Sequence, residues 1–322
     1  MHTVATPAVW AVFIAIVVAA LAVDFLILRG AGAHRVSFRE ALWWSLAWVA
    51  LALAFNLGLW WWLDFESGRA VANEVGLEFL TGYVLEKSLA VDNIFVFLMV
   101  FNFFAVPPEQ RQRALMVGVL GAIVLRAVMI FVGAALVARF HWVLYLFGLF
   151  LLVTGLKMLF SANQQPDLEA NPVLRWMRSH LPLTRDFRGS ALRVRDGDRW
   201  CYTPLFVVMV LIAVTDVIFA VDSIPAIFAV TLDPFVVLTS NVFAVLGLRA
   251  MFFLLAGMAD RFHLLGHGLA LVLLFIGAKM LLAGVFKIPI GIALGVVALL
   301  IAGSIVASIR FPQKGPGIGN GE

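Results

Sequence analysis

Apolar runs long enough to cross a bilayer follow one another along almost the whole chain, and this limits the fold more than any other feature. A helix needs about 20 apolar residues to span the hydrocarbon core. By that measure nine segments qualify, at roughly 7–29, 39–63, 77–104, 113–138, 141–160, 203–230, 235–258, 264–284 and 288–309. Hydrophobic residues make up 63% of the 322 and charged ones 13%, against about half and a quarter in soluble proteins. A water-soluble domain of this size has no interior able to hide that much apolar surface. The expected fold class is therefore all-α, a polytopic membrane protein. Soluble enzymes, disordered adaptors and disulfide-knit secreted domains are excluded.

Charge sets the expected topology. Arg29, Arg35 and Arg39 lie in the first loop, Arg111 and Arg113 in the third, and Arg175, Arg178, Arg185, Arg188, Arg193, Arg195 and Arg199 in the fifth. The second loop is instead acidic, with Asp64, Glu66, Glu74 and Glu78 against Arg69 alone. The positive-inside rule then puts the N-terminus outside and the C-terminus in the cytoplasm. No Lys or Arg precedes the run from Pro7 to Leu28, so it reads as a first span and not a cleaved signal. The net charge of +4 belongs to these loops, and no nucleic-acid partner is expected. The single cysteine, Cys201, excludes an internal disulfide or a dithiol centre.

The sequence also repeats. Glu86-Lys-Ser-Leu-Ala-Val-Asp92-Asn-Ile aligns with Asp216-Val-Ile-Phe-Ala-Val-Asp222-Ser-Ile. Leu125-Arg126-Ala127 answers Leu248-Arg249-Ala250, and Arg139-Phe140-His141 answers Arg261-Phe262-His263. Gly155-Leu-Lys157-Met-Leu answers Gly277-Ala-Lys279-Met-Leu. These matches divide the chain into two N-terminal membrane helices (1–76), a first three-helix repeat (77–160), a cytoplasmic Arg-rich loop (161–202), a second three-helix repeat (203–284) and a last helix with a disordered tail (285–322). An odd number of spans per copy inverts the second copy, an arrangement that in transporters puts the substrate site at the midplane. The loop at 161–202 reads as a solvated linker, too poor in apolar residues for a core.

Four acids sit inside these apolar helices: Glu86, Asp92, Asp216 and Asp222. Each ionised Asp at a helix centre costs about 2.5–3.5 kcal/mol on insertion scales. Such groups face a bundle interior and carry function or pair with cations. The available charge partners are Lys87, Arg126 and Arg249, which leave a surplus of acid. With Asn93 and Ser223 the acids offer hard oxygen ligands, suited to Mn(II), Mg(II) or Ca(II), and no Cys or His accompanies them. Pro225 adds an acceptor, because its ring cannot bond the Val221 carbonyl. Glu86 is expected nearer the outer leaflet and Asp216 nearer the middle or inner side. The i, i+6 spacing turns the two acids of each copy about 120° apart on a regular helix, so both reach one ion only with local unwinding or help from another helix. Asp24, His141 and His263 read as interfacial.

The stretch from Glu86 through Phe97 and its partner from Asp216 through Pro225 resemble the TerC family of integral membrane proteins. The resemblance covers all nine spans, with the most specific motifs at about 78–282. It implies a multi-pass protein of the bacterial inner membrane and, among relatives, manganese efflux, tellurium resistance, an alkaline-pH response or redox modulation. By motif position it carries over Glu86, Asp92, Asn93, Asp216, Asp222 and Ser223 as an ion path. Manganese efflux is the activity that carboxylates serve; an oxyanion such as tellurite is repelled by them.

The expected function is a secondary transporter exporting Mn(II), with no cofactor and no enzymatic step. A carboxylate alternating between metal-bound and protonated forms would couple efflux to protons. The alternative is a non-transporting assembly or stress-response factor that uses the Arg-rich loop as its contact surface. An intramembrane hydrolase is a distant third. Partners are the metal ion and the bilayer, with a homodimer or membrane-assembly partners left open.

Overall fold

The computed structural model describes residues 3–30, 37–161, 168–196, 199–256, 264–286 and 288–311. Arg35, Arg261, His263, Lys287 and the tail after Phe311 lie outside the described residues. Eleven helices and one hairpin follow in the order α1 (Pro7–Gly30), α2 (Phe38–Glu66), α3 (Arg69–Phe103), α4 (Pro108–Arg139), α5 (Val143–Ser161), α6 (Pro172–His180), β1 (Arg193–Asp196), β2 (Arg199–Tyr202), α7 (Pro204–Phe228), α8 (Pro234–Leu246), α9 (Leu248–Ala256), α10 (Leu265–Leu282) and α11 (Ile290–Arg310).

Helix ends follow local chemistry. Proline at the first helical position opens α4, α6, α7 and α8, where a missing N–H costs nothing. Ser37, Asn171 and Asp233 cap α2, α6 and α8 through side-chain oxygens. Between α2 and α3 only Ser67 and Gly68 remain outside helix, and Gly68 turns the chain at φ +91. Glu74 and Glu78, read from sequence as loop residues, therefore ride on the first turns of α3.

Among the described residues, seven helices are long and apolar enough to cross a membrane, and the bent pair α8–α9, taken as one span, makes an eighth. The 35-residue α3 is long enough, about 52 Å at 1.5 Å per residue, but carries Arg69, Glu74, Glu78, Glu86, Lys87 and Asp92. The nine spans expected from sequence therefore become seven or eight by length and apolarity.

Burial explains how such a charged helix stands among apolar ones. An aromatic cluster wedges α1, α2, α3 and α8 together: Phe55 and Phe243 stack 4.7 Å apart, and Trp10 meets Phe235 edge-on at 4.9 Å. Trp43 and Trp61, near the two ends of α2, are 71% and 73% exposed, as interfacial anchors should be. Gly82 lets α3 close on its neighbours. A methyl group there would lie 2.7 Å from Ile227 Cδ1 of α7 and 2.8 Å from Ser240 Oγ of α8.

Helices α5 and α10 approach until backbones touch. A methyl group at Gly277 would lie 2.9 Å from the Gly148 carbonyl oxygen, and one at Gly155 would lie 3.0 Å from that of Ala270. Overpacking such a seam costs about 1–3 kcal/mol. Gly277→Val is accordingly expected to bring forward the thermal loss of monodisperse protein in detergent, whereas Gly295→Val, at a position with open space around it, should leave it unchanged.

The fifth loop is folded, in contrast to the linker read from its composition. Leu174 and Met177 of α6 are buried in a cluster with Leu205, Val207 and Val208 of α7. The hairpin is pinned to the start of α7: Thr203 Oγ1 donates to the Ala191 carbonyl at 2.7 Å, and the Tyr202 N–H to that of Pro182 at 2.8 Å. Few apolar residues suffice here because the membrane helices supply the other half of the core.

Candidate functional site

Glu86 is the middle residue of α3, with seventeen residues on either side, and Asp216 is the middle residue of α7, with twelve on either side. Both are buried, at 2% and 4% exposure, and they meet across one side chain, Arg126 of α4. Arg126 Nη1 donates to Glu86 Oε1, to Asn241 Oδ1 at 3.1 Å and to Ser223 Oγ at 3.5 Å. Arg126 Nη2 lies 3.8 Å from Asp216 Oδ1. Glu86 is thus central in α3.

Helical geometry selects this set. At 100° per residue, positions seven apart nearly eclipse one another, whereas positions six apart diverge by about 120°. Asn93, 2% exposed, therefore shares the inward face of Glu86, and Ser223, also 2% exposed, shares that of Asp216. Both helices run without unwinding through these residues. Asp222 points elsewhere, accepting a hydrogen bond from Thr154 of α5 with Lys157 nearby. The Asp92 side chain lies outside the described residues.

Charge pairing accounts for two of the acids and leaves bonding capacity unused. Asp216 Oδ2, Arg126 Nε and Arg126 Nη2 are buried without a hydrogen-bond partner among the described residues. Among those residues, no three Asp, Glu, His or Cys side chains converge closely enough to hold an ion alone. An oxygen cage here must combine Glu86 and Asp216 with the neutral donors Asn93, Ser223 and Asn241.

The second repeat arginine does something different. Arg249 Nη2 pairs with Asp24 Oδ1 at 2.5 Å. Asp24 is buried against α9 and serves as that arginine's counter-ion. Asp24→Ala would strand Arg249 partly buried, a loss of about 3 kcal/mol or less, readable as early aggregation on heating; Asp24→Ala/Arg249→Met should recover most of it.

Lys87 turns away from the acids. Its Nζ donates to the Ala244 carbonyl at 3.1 Å, at the break between α8 and α9, where the helix bends by 42°. Gly247 makes room: a methyl group there would lie 2.6 Å from Lys87 Nζ and 3.1 Å from Trp48 Cβ. The ammonium thus sits on the carbonyl end of a half-helix, where the helix dipole favours a cation.

Sequence reasoning missed Asn241. It lies in the run Thr239-Ser240-Asn241, all three fully buried in an otherwise apolar helix. The Asn241 amide donates to the Val237 carbonyl at 3.0 Å, which aims its own oxygen at Arg126. Three consecutive polar residues inside a span were the available signal.

Residues 71–315 match the model of the integral membrane protein TerC family. The chain belongs to the TerC family. It is 52% identical over 297 residues, covering 92% of both chains, to an Escherichia coli (strain K12) protein provisionally named membrane-bound redox modulator Alx. A protein of Photorhabdus laumondii with the same provisional name is 50% identical over 309 residues, 96% of this chain and 97% of the other. An uncharacterized membrane protein of Myxococcus xanthus is 46% identical over 314 residues, 98% of this chain and 96% of the other. No solved structure matches it. The TerC match runs from the start of α3 through α11 and so contains every residue of the Arg126 cluster.

Proposed function

We propose that the protein is a secondary transporter exporting divalent metal cations, with Mn(II) as its substrate and protons as the exchanged ion, and that it is not an enzyme. The observation that carries this reading is the meeting of two mid-helix acids, Glu86 and Asp216, on one buried guanidinium. Ion pathways through membranes are marked by such costly intramembrane charges. In the empty protein Arg126 offsets one of the two acid charges. Arriving Mn(II) brings two charges against its one, takes the carboxylates with Asn93, Ser223 and Asn241, and displaces the guanidinium. Hard oxygen donors suit Mn(II), while Mg(II) gives up its water more reluctantly and Ca(II) takes six to eight oxygens. Protons arriving at the acids release the metal. Asp92 and Asp222 extend the path along the same two helices.

The proposal treats α3 as a ninth span, with Glu86 turned into the bundle, and 77–160 and 203–284 as inverted repeats. The α5–α10 seam supports this. Aligning Gly155 with Gly277 aligns Gly148 with Ala270, so exchanging the copies turns the Gly148–Gly277 approach into the Ala270–Gly155 approach, and both occur. The bent α8–α9 helix beside the site fits transporters built on discontinuous helices. The proposed location is the bacterial inner membrane, N-terminus outside and C-terminus cytoplasmic. The redox name of the relatives calls for a dithiol that Cys201 alone does not supply. The test is manganese tolerance of a manganese-sensitive bacterial strain expressing wild type or Asp216→Asn. Wild type should restore growth and Asp216→Asn should not; equal tolerance at equal membrane abundance would refute the proposal.

A further inference from the structure

The folded segment between α5 and α7 is rich in exposed arginine. From 175 to 199 the sequence holds seven arginines, no lysine and three acids, Asp186, Asp196 and Asp198. In α6, Leu174 and Met177 face the membrane helices, while Arg175, Arg178 and Trp176 face outward, Trp176 at 56% exposure. In the hairpin, Arg193 pairs across strands with Tyr202 and Arg195 with Trp200. Directly opposed residues share a face, so guanidinium and aromatic groups gather on one side. The Arg193 guanidinium lies 4.8 Å from the Trp200 ring centre, and Trp200 is 52% exposed. The module is fixed to the first turn of a membrane-crossing helix, so it stands at the height of the phospholipid headgroups.

We propose that this face is a docking surface for the headgroups of anionic phospholipids in the adjoining leaflet. Three observations select that occupant. Charge complementarity calls for an anion. The exclusive use of arginine favours phosphate oxygens, which its planar fork binds in pairs. Exposed tryptophan beside arginine suits the boundary between headgroup and acyl chain, where an indole lies half in water. A soluble polyanion would explain the arginines and leave Trp176 and Trp200 exposed to water.

The experiment is native mass spectrometry of the full-length protein after exchange into equal amounts of phosphatidylglycerol and phosphatidylcholine with matched acyl chains. Each arginine near an anionic surface contributes roughly fivefold in binding. Wild type should retain phosphatidylglycerol over phosphatidylcholine by about tenfold or more. The Arg175→Ala/Arg178→Ala/Arg193→Ala/Arg195→Ala variant should lose that preference. Raising salt from about 0.1 to about 1 M shortens electrostatic reach from about 10 to 3 Å and should lower it in wild type. That salt titration decides the matter if the fourfold variant fails to fold. Equal retention of both lipids, a preference insensitive to salt, or a folded fourfold variant that keeps full preference would each overturn the proposal. So would a protein held through these arginines by a chain that shows no lipid preference.

Discussion

Arg126→Met should destabilise the protein by about 3–5 kcal/mol, the largest single-residue loss expected. The cost comes less from the lost ion pair than from what remains. Glu86 and Asp216 would be left as two carboxylates buried in the bundle with Asn241 and Ser223 as neutral neighbours. Removing one acid as well reduces the excess charge, so Arg126→Met/Glu86→Gln should be more stable than Arg126→Met alone. Thermal melts of the purified protein in detergent, scored by its monodisperse fraction, give all the comparisons of a double-mutant cycle. Independent, additive losses would show that Arg126 and Glu86 do not act as a pair. If Arg126 is the counter-ion of the empty site, millimolar Mn(II) should also raise the melting temperature of wild type, since a ligand bound only by the folded form stabilises it.

Asp216→Asn carries the largest functional effect. The amide keeps the shape of the carboxylate and removes one of the two charges on which a divalent cation depends, so export should fall by a factor of about a hundred or more, in line with a buried charge-pair loss of several kcal/mol. The same substitution leaves Arg126 its partner in Glu86, and folding should survive it. Asp222→Asn tests a different stretch of the path. Asp222 lies about 9 Å further along α7 at 1.5 Å per residue and faces Thr154 and Lys157. Its replacement, like Asp92→Asn, should also abolish export, with little change in melting behaviour because Asp222 does not meet Arg126. Cells accumulating manganese to the same level with Asp216→Asn as with wild type would contradict the assignment of the central acid.

Much of this architecture was legible in the residues because bilayers impose simple rules. Span length follows from hydrocarbon thickness, and Arg126 was identifiable as a counter-ion from its depth in an apolar run. What escaped was which face each acid takes. The conspicuous motif pairs Glu86 with Asp92 and Asp216 with Asp222, six apart, yet a continuous helix puts Asn93 and Ser223, seven apart, on the inward face. The loop at 161–202 escaped because its core is borrowed: Leu174 and Met177 bury themselves against α7, contact that composition of the loop alone does not reveal. The break at Gly247 escaped for a similar reason. A glycine in an apolar run is ordinary in membrane helices, and only the approach of Lys87 and Trp48 gives it a role.

The central claim is most directly tested by Mn(II) uptake into inside-out proteoliposomes of the purified protein, with and without an acidic lumen, beside Asp216→Asn. Uptake should saturate, accelerate when the lumen is acid, and vanish in the variant. Uptake no faster than in protein-free liposomes under either gradient, from protein that is folded and inserted, would contradict the claim and leave the Arg126 cluster a structural ion pair.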